Sequence, residues 1–128
     1  MRVLIVEDEP MMEALLRATL EPLGYELFTL SQGAGFEAAL ERFDPDVVLL
    51  DVLLPGEEDG FALAERLRAL KGERPYVVML TALDDLESRK RALAAGANAY
   101  LSKPFSPLRL LRLIEDRAQS SPGSGGAL

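Results

Sequence analysis

Five side chains suited to chemistry stand at the ends of short apolar runs. Glu7 and Asp8 follow Val3–Val6, Asp51 ends Val47–Leu50, Thr81 ends Tyr76–Leu80, and Lys103 follows Ala99–Ser102. If the runs are parallel strands, all five groups reach the same edge of a sheet, where open α/β folds bind their ligands. Converging carboxylates repel by several kcal/mol at intermediate effective dielectric. A divalent cation relieves that repulsion, and Mg²⁺ suits one or two carboxylates together with water and phosphate oxygens. An amine adds a point charge for a phosphoryl group and a hydroxyl adds a donor. The set points to metal-assisted phosphoryl transfer onto a carboxylate. Singly, each member has a plainer role: a turn for Asp51, a helix start for Glu7–Asp8, an N-cap for Thr81, a solvated charge for Lys103. Their joint position favours the chemistry.

The chain of 128 residues has no histidine and no cysteine. That excludes Ser-His-Asp and Cys-His catalysis, thiolate nucleophiles and nearly all structural zinc sites. A net charge of −7 argues against a grip on nucleic acid, whose affinity comes from Lys and Arg on phosphates. No apolar run approaches the roughly 18 residues that span a bilayer, and acids follow the first run too soon for a signal peptide. A cytoplasmic location is expected.

The elements that must position the five groups follow from hydrophobic period and punctuation. Val3–Val6 reads as a buried strand, and a helix from Met11 to Leu23 follows Pro10, with Leu15, Ala18 and Leu23 towards the core and Gly24 as its stop. Tyr25–Leu30 reads as a short edge strand. Phe36–Phe43 reads as a helix with Phe36, Ala39, Leu40 and Phe43 on one side, broken by Asp44-Pro45. After the Val47–Asp51 strand come a helix over Phe61–Leu70, a strand over Tyr76–Leu80 and a helix over Leu86–Ala95 closed by Gly96. A strand over Ala99–Ser102 and a last helix, capped by Ser106 and running to about Ala118, complete the pattern. Strands alternating with helices in this way signify a parallel sheet covered on both faces. Residues 1–118 are expected to form one domain. Residues 119–128, with their Ser/Gly-rich linker composition, are expected to form a flexible tail or a truncated linker.

Taken together, Val6-Glu7-Asp8-Glu9, Leu50-Asp51-Val52-Leu53-Leu54-Pro55-Gly56, Leu80-Thr81-Ala82, Gly96-Ala97 and Tyr100-Leu101-Ser102-Lys103-Pro104-Phe105 resemble the receiver domain of bacterial two-component response regulators. The resemblance implies a flavodoxin-like fold with a five-stranded parallel sheet in the order 2-1-3-4-5. It implies that Asp51 accepts a phosphoryl group from a histidine kinase and that Glu7, Asp8, Asp51 and the Leu53 carbonyl hold Mg²⁺. Lys103 and Thr81 would contact phosphoryl oxygens, Tyr100 would be the aromatic switch, and Lys103-Pro104 would be cis. The fourth helix, fifth strand and fifth helix would face an output domain or a second copy in a homodimer. The chain would be either a stand-alone receiver or the first part of a longer regulator, with no direct nucleic-acid binding by this domain.

Three departures from the family pattern stand out. Gly56-Glu57-Glu58 puts three residues where the family has two, and the acidic rim is expected to disfavour anionic small phosphodonors. Leu53 and Leu83, two residues after Asp51 and Thr81, are apolar and are expected to restrict the hydrolytic water. Gly96-Ala97-Asn98-Ala99-Tyr100 lacks the paired acids of the family's output face, although Arg89 and Arg91 remain, while Leu108, Leu110, Leu111, Leu113 and Ile114 crowd the last helix. A dehalogenase-like phosphatase also uses a post-strand aspartate, but it needs a second Asp where Leu53 stands.

Overall fold

Chain order and burial together make an open parallel sheet. In the computed structural model, which describes residues 1–119, the strands are β1 (Arg2–Val6), β2 (Glu26–Leu30), β3 (Val47–Asp51), β4 (Tyr76–Thr81) and β5 (Ala99–Ser102). The helices are α1 (Pro10–Leu20), α2 (Phe36–Phe43), α3 (Gly60–Lys71), α4 (Leu86–Ala94) and α5 (Pro107–Gln119). All strands are parallel and the order is β2-β1-β3-β4-β5, the flavodoxin-like arrangement. Beyond Gln119 the expected tail lies outside the described residues.

Alternation along the strands sorts the core into two layers, because successive side chains leave opposite faces of a sheet. Leu4, Val6, Val48, Leu50, Val77 and Met79 meet Phe36, Leu40, Leu63, Leu67 and Ala92 from α2, α3 and α4. Val3, Ile5, Val47, Leu49, Val78, Leu80 and Leu101 meet Leu16 and Leu20 of α1 and Leu110 and Ile114 of α5. Every residue of β3 is buried, as its unbroken apolar run requires.

The α1 face differs from the sequence expectation. Leu16 and Leu20 are the buried residues, with Met12 packed against them, whereas Leu15, Ala18 and Leu23 are exposed. Met12, Leu16 and Leu20 follow a spacing of four and form one stripe; Leu15 and Ala18 lie to its side. The α-helix also ends at Leu20, and Glu21–Leu23 continue as a 3-10 turn. Pro22 cannot donate into the helical ladder and its ring clashes with the preceding turn, so Leu23 leaves the helical register.

Two glycines hold the chain where no side chain fits the geometry. Gly96 ends the α4 segment at φ +103, a left-handed backbone. Gly60, the first residue of α3, donates from its N–H to Val52 O at 2.8 Å. A Cβ on Gly60 would lie 2.7 Å from Val52 Cα and would strike the Asp51 carbonyl, both backbone atoms with no rotamer to yield. Gly60→Ala should therefore destabilise the domain by about 1–3 kcal/mol in urea unfolding, through overpacking against the strand that ends in Asp51.

Candidate functional site

Four strands deliver the predicted groups to one edge. Glu7 follows β1, Asp51 ends β3, Thr81 ends β4 and Lys103 follows β5, whose Ser102 is in register with Thr81. The oxygens of Glu7, Asp8 and Asp51 lie within 4.8 Å of one another. Glu7 and Asp51 are buried and Asp8 is exposed, so the cluster opens to solvent on one side. The cleft above it, about 230 Å³, is lined by Asp8, Glu9, Asp51, Leu53, Ala82 and Lys103.

One cation serves the acids. Lys103 Nζ lies 2.9 Å from Glu7 Oε1, 2.8 Å from Glu9 Oε1 and 3.2 Å from Asp51 Oδ2. Asp51 is held from its other oxygen as well, since Leu53 N–H donates to Oδ1 at 3.1 Å. Glu7 Oε2 accepts from Glu9 N–H at 3.1 Å. Glu7 Oε1 is the exception: the ammonium is within ion-pair reach but off the hydrogen-bond axis, leaving this buried oxygen without a donor. A buried carboxylate oxygen with spare acceptor capacity, beside two further carboxylates, fits a hard divalent cation. It is an acidic cluster of metal-binding type.

Thr81 is fully buried and does not line the cleft; its neighbour Ala82 does. Thr81 Oγ1 accepts from Leu83 N–H at 3.2 Å, and the carbonyl of Leu83 accepts from the Tyr100 hydroxyl. Tyr100 is half-buried, with the Arg89 guanidinium 5.1 Å from its ring centroid. Arg89 also binds Asp84 at 2.6 Å, and Arg91 stacks over Phe61 at 4.4 Å, so both arginines are engaged inside the domain. Lys103-Pro104 is cis.

The acidic insertion takes a course the sequence did not reveal. Glu58 pairs with Arg66, which also binds Glu37 at 3.1 Å. Glu57 and Glu58 line a separate cleft with Gln32, Gly33 and Ala34. The acids over Asp51 are Asp8 and Glu9. The contact of Glu9 with Lys103 was missed because Glu9 reads as one more acid before a helix; the adjoining Glu7-Asp8 pair was the available signal. Of the crowded α5 leucines, Leu110 joins Ile114 in the core, Leu111 and Leu113 are half-buried, and Leu108 is exposed.

Burial pushes the Glu7 carboxyl up to about 7, reinforced by the Asp51 charge and opposed by Lys103 and the Glu9 N–H. Burial alone would lower the Lys103 ammonium, but its hydrogen bond to Glu9, the close Glu7 carboxylate and the charge of Asp51 raise it above the usual lysine range. A carboxyl with a folded pKa above its ordinary 4.5 favours the fold fully below pH 4.5. That contribution disappears as pH rises to about 7. In metal-free protein, unfolding stability should therefore fall across this window, and Glu7→Gln should remove a change on the order of 2 kcal/mol. Urea unfolding in a chelator at several pH values measures it.

Residues 3–115 match the family model of the response regulator receiver domain. The transcriptional regulatory protein TcrA of Mycobacterium tuberculosis is 44% identical over 121 residues, which cover 94% of this chain and 47% of TcrA. The chain thus spans about half the length of that relative. A CheY-like receiver domain protein from Methanospirillum hungatei superposes with a TM-score of 0.85 at 30% identity, covering 93% of this chain and 94% of the other. The BeF3-activated N-terminal receiver domain of Klebsiella pneumoniae RstA gives 0.83 at 32% identity, covering 90% and 96%. Among the described residues no helix is long and apolar enough to cross a membrane. Fold, acidic cluster and family match agree: the chain belongs to the response regulator receiver domain family, signalling modules that switch on phosphorylation and are not conventional enzymes.

Proposed function

We infer that Asp51 is the phosphoacceptor and that a histidine kinase supplies the phosphoryl group. The observation that carries this reading is the position of Asp51: buried at the end of β3, one oxygen on Leu53 N–H and the other 3.2 Å from Lys103 Nζ, in the acidic cluster. An Asp51 oxygen attacks phosphorus, an O–P bond forms, the N–P bond of the phosphohistidine breaks, and the imidazole leaves with a proton from solvent. Glu7, Asp8, Asp51 and the Leu53 carbonyl would hold Mg²⁺, which when bound would supply positive charge for the phosphoryl oxygens. Lys103 neutralises one of those oxygens and Thr81 donates its hydroxyl proton to another.

The bonds around Leu83 support a route from the site to a surface. Thr81 Oγ1 holds the Leu83 N–H, and the Leu83 carbonyl holds the Tyr100 hydroxyl. Turning Thr81 towards a phosphoryl group loosens Leu83, frees Tyr100 and alters the face made by α4, β5 and α5. That face carries exposed Leu86, Leu93 and Leu108, suited to an output domain or a second copy. The half of TcrA that this chain does not cover supports a transcriptional output domain in a longer regulator.

Beryllofluoride with Mg²⁺ tests the assignment: it should shift the amide spectrum around Asp51, Thr81 and Tyr100 in the wild type and leave Asp51→Asn unchanged. Equal shifts in both proteins would refute Asp51 as the acceptor. Leu53 is exposed and lines the cleft, where an apolar side chain would restrict hydrolytic water. Leu53→Asn should shorten the phosphorylated lifetime several-fold, read from the decay of label on the isolated protein.

A further inference from the structure

We propose that Glu9 is a positioning and selectivity residue for Lys103, holding its ammonium across the mouth of the site until a phosphoryl group replaces the Glu9 carboxylate. The inference rests on Asp51 being the acceptor. Lys103 has three N–H donors, and three carboxylates lie around them: Glu9 at 2.8 Å, Glu7 at 2.9 Å and Asp51 at 3.2 Å. Two of the N–H groups are spent on hydrogen bonds to Glu9 and Asp51, and a phosphoryl group on Asp51 competes with the surrounding acids for the ammonium charge. Glu7 is buried, and surrendering its cation leaves an uncompensated charge. Glu9 is 61% exposed at its side chain, and water replaces the ammonium there at little cost. Glu9 is the exchangeable partner.

The backbone of Glu9 is fixed while its side chain is free for this task. Its N–H donates to Glu7 Oε2 at 3.1 Å and its carbonyl accepts from Glu13 N–H at 3.0 Å, setting the start of α1. Its side chain makes no capping bond to that helix. The carboxylate faces the lysine across a cleft that Glu57 and Glu58 do not line. Glu9 thus places a negative charge over the path of an incoming phosphodonor, and its repulsion grows with the donor's charge.

The test compares wild type, Glu9→Gln and Glu9→Asp in two arms. In saturating Mg²⁺, labelling by dianionic acetyl phosphate should rise about three- to tenfold in Glu9→Gln, the scale of one charge removed at the mouth of the site. Labelling by monoanionic phosphoramidate should rise less, and Glu9→Asp, which keeps the charge, should return towards wild type. In metal-free protein the Lys103 ammonium ¹H–¹⁵N signal should move in Glu9→Gln and exchange its protons with water faster. Equal rates with both donors, or an unmoved ammonium signal, overturns the proposal. Absence of labelling in all three proteins, with the ammonium signal moved, instead overturns the phosphoacceptor reading and leaves the tether standing.

Discussion

The site depends on one ammonium ion. Glu7, Asp8, Glu9 and Asp51 approach one another because β1 and β3 are neighbours and end level, and among the described residues only Lys103, after β5, sits among them as a counter-charge. Without it, a buried carboxylate pair would repel in a medium far less polar than water. Even with it, burial keeps Glu7 reluctant to ionise, and one oxygen of Glu7 lacks a donor. The charge is incompletely balanced, as in an acidic cluster of metal-binding type.

Much of this was legible in sequence because two strong periodicities coincide with punctuation. β1 and β3 are apolar runs ended by acids, and α2 has one apolar stripe between Gly35 and Asp44, so the extents of these elements follow from composition. The α1 face was harder. Leu15 and Leu16 are both apolar, and docking against Val3, Ile5 and Leu49 decides which one turns inward. The stripe of Met12, Leu16 and Leu20 is present in the sequence, but Leu15 and Ala18 offer a competing one, and the sequence alone does not rank the two.

The site divides in the same way. Glu7, Asp8, Asp51 and Lys103 were visible as strand-end residues because their convergence is a property of the topology. The bond of Glu9 to Lys103 joins residues 94 positions apart, and the turn of Glu58 onto Arg66 depends on where α3 docks. Thr81 was placed on the correct edge, but its burial behind Ala82 and its bond to Leu83 N–H are tertiary outcomes. Side-chain direction, unlike strand order, is decided by partners.

Gly60 carries a consequence for how the edge deforms. The start of α3 abuts the carbonyl of Asp51 and is bonded to Val52, so the backbone behind the aspartate has a rigid backstop. On the other side, Thr81, Leu83 and Tyr100 are joined by single hydrogen bonds, each exchangeable for another partner. A push delivered at Asp51 meets stiffness on one flank and compliance on the other. The two flanks of Asp51 are therefore mechanically unequal, stiff at α3 and compliant at β4 and β5.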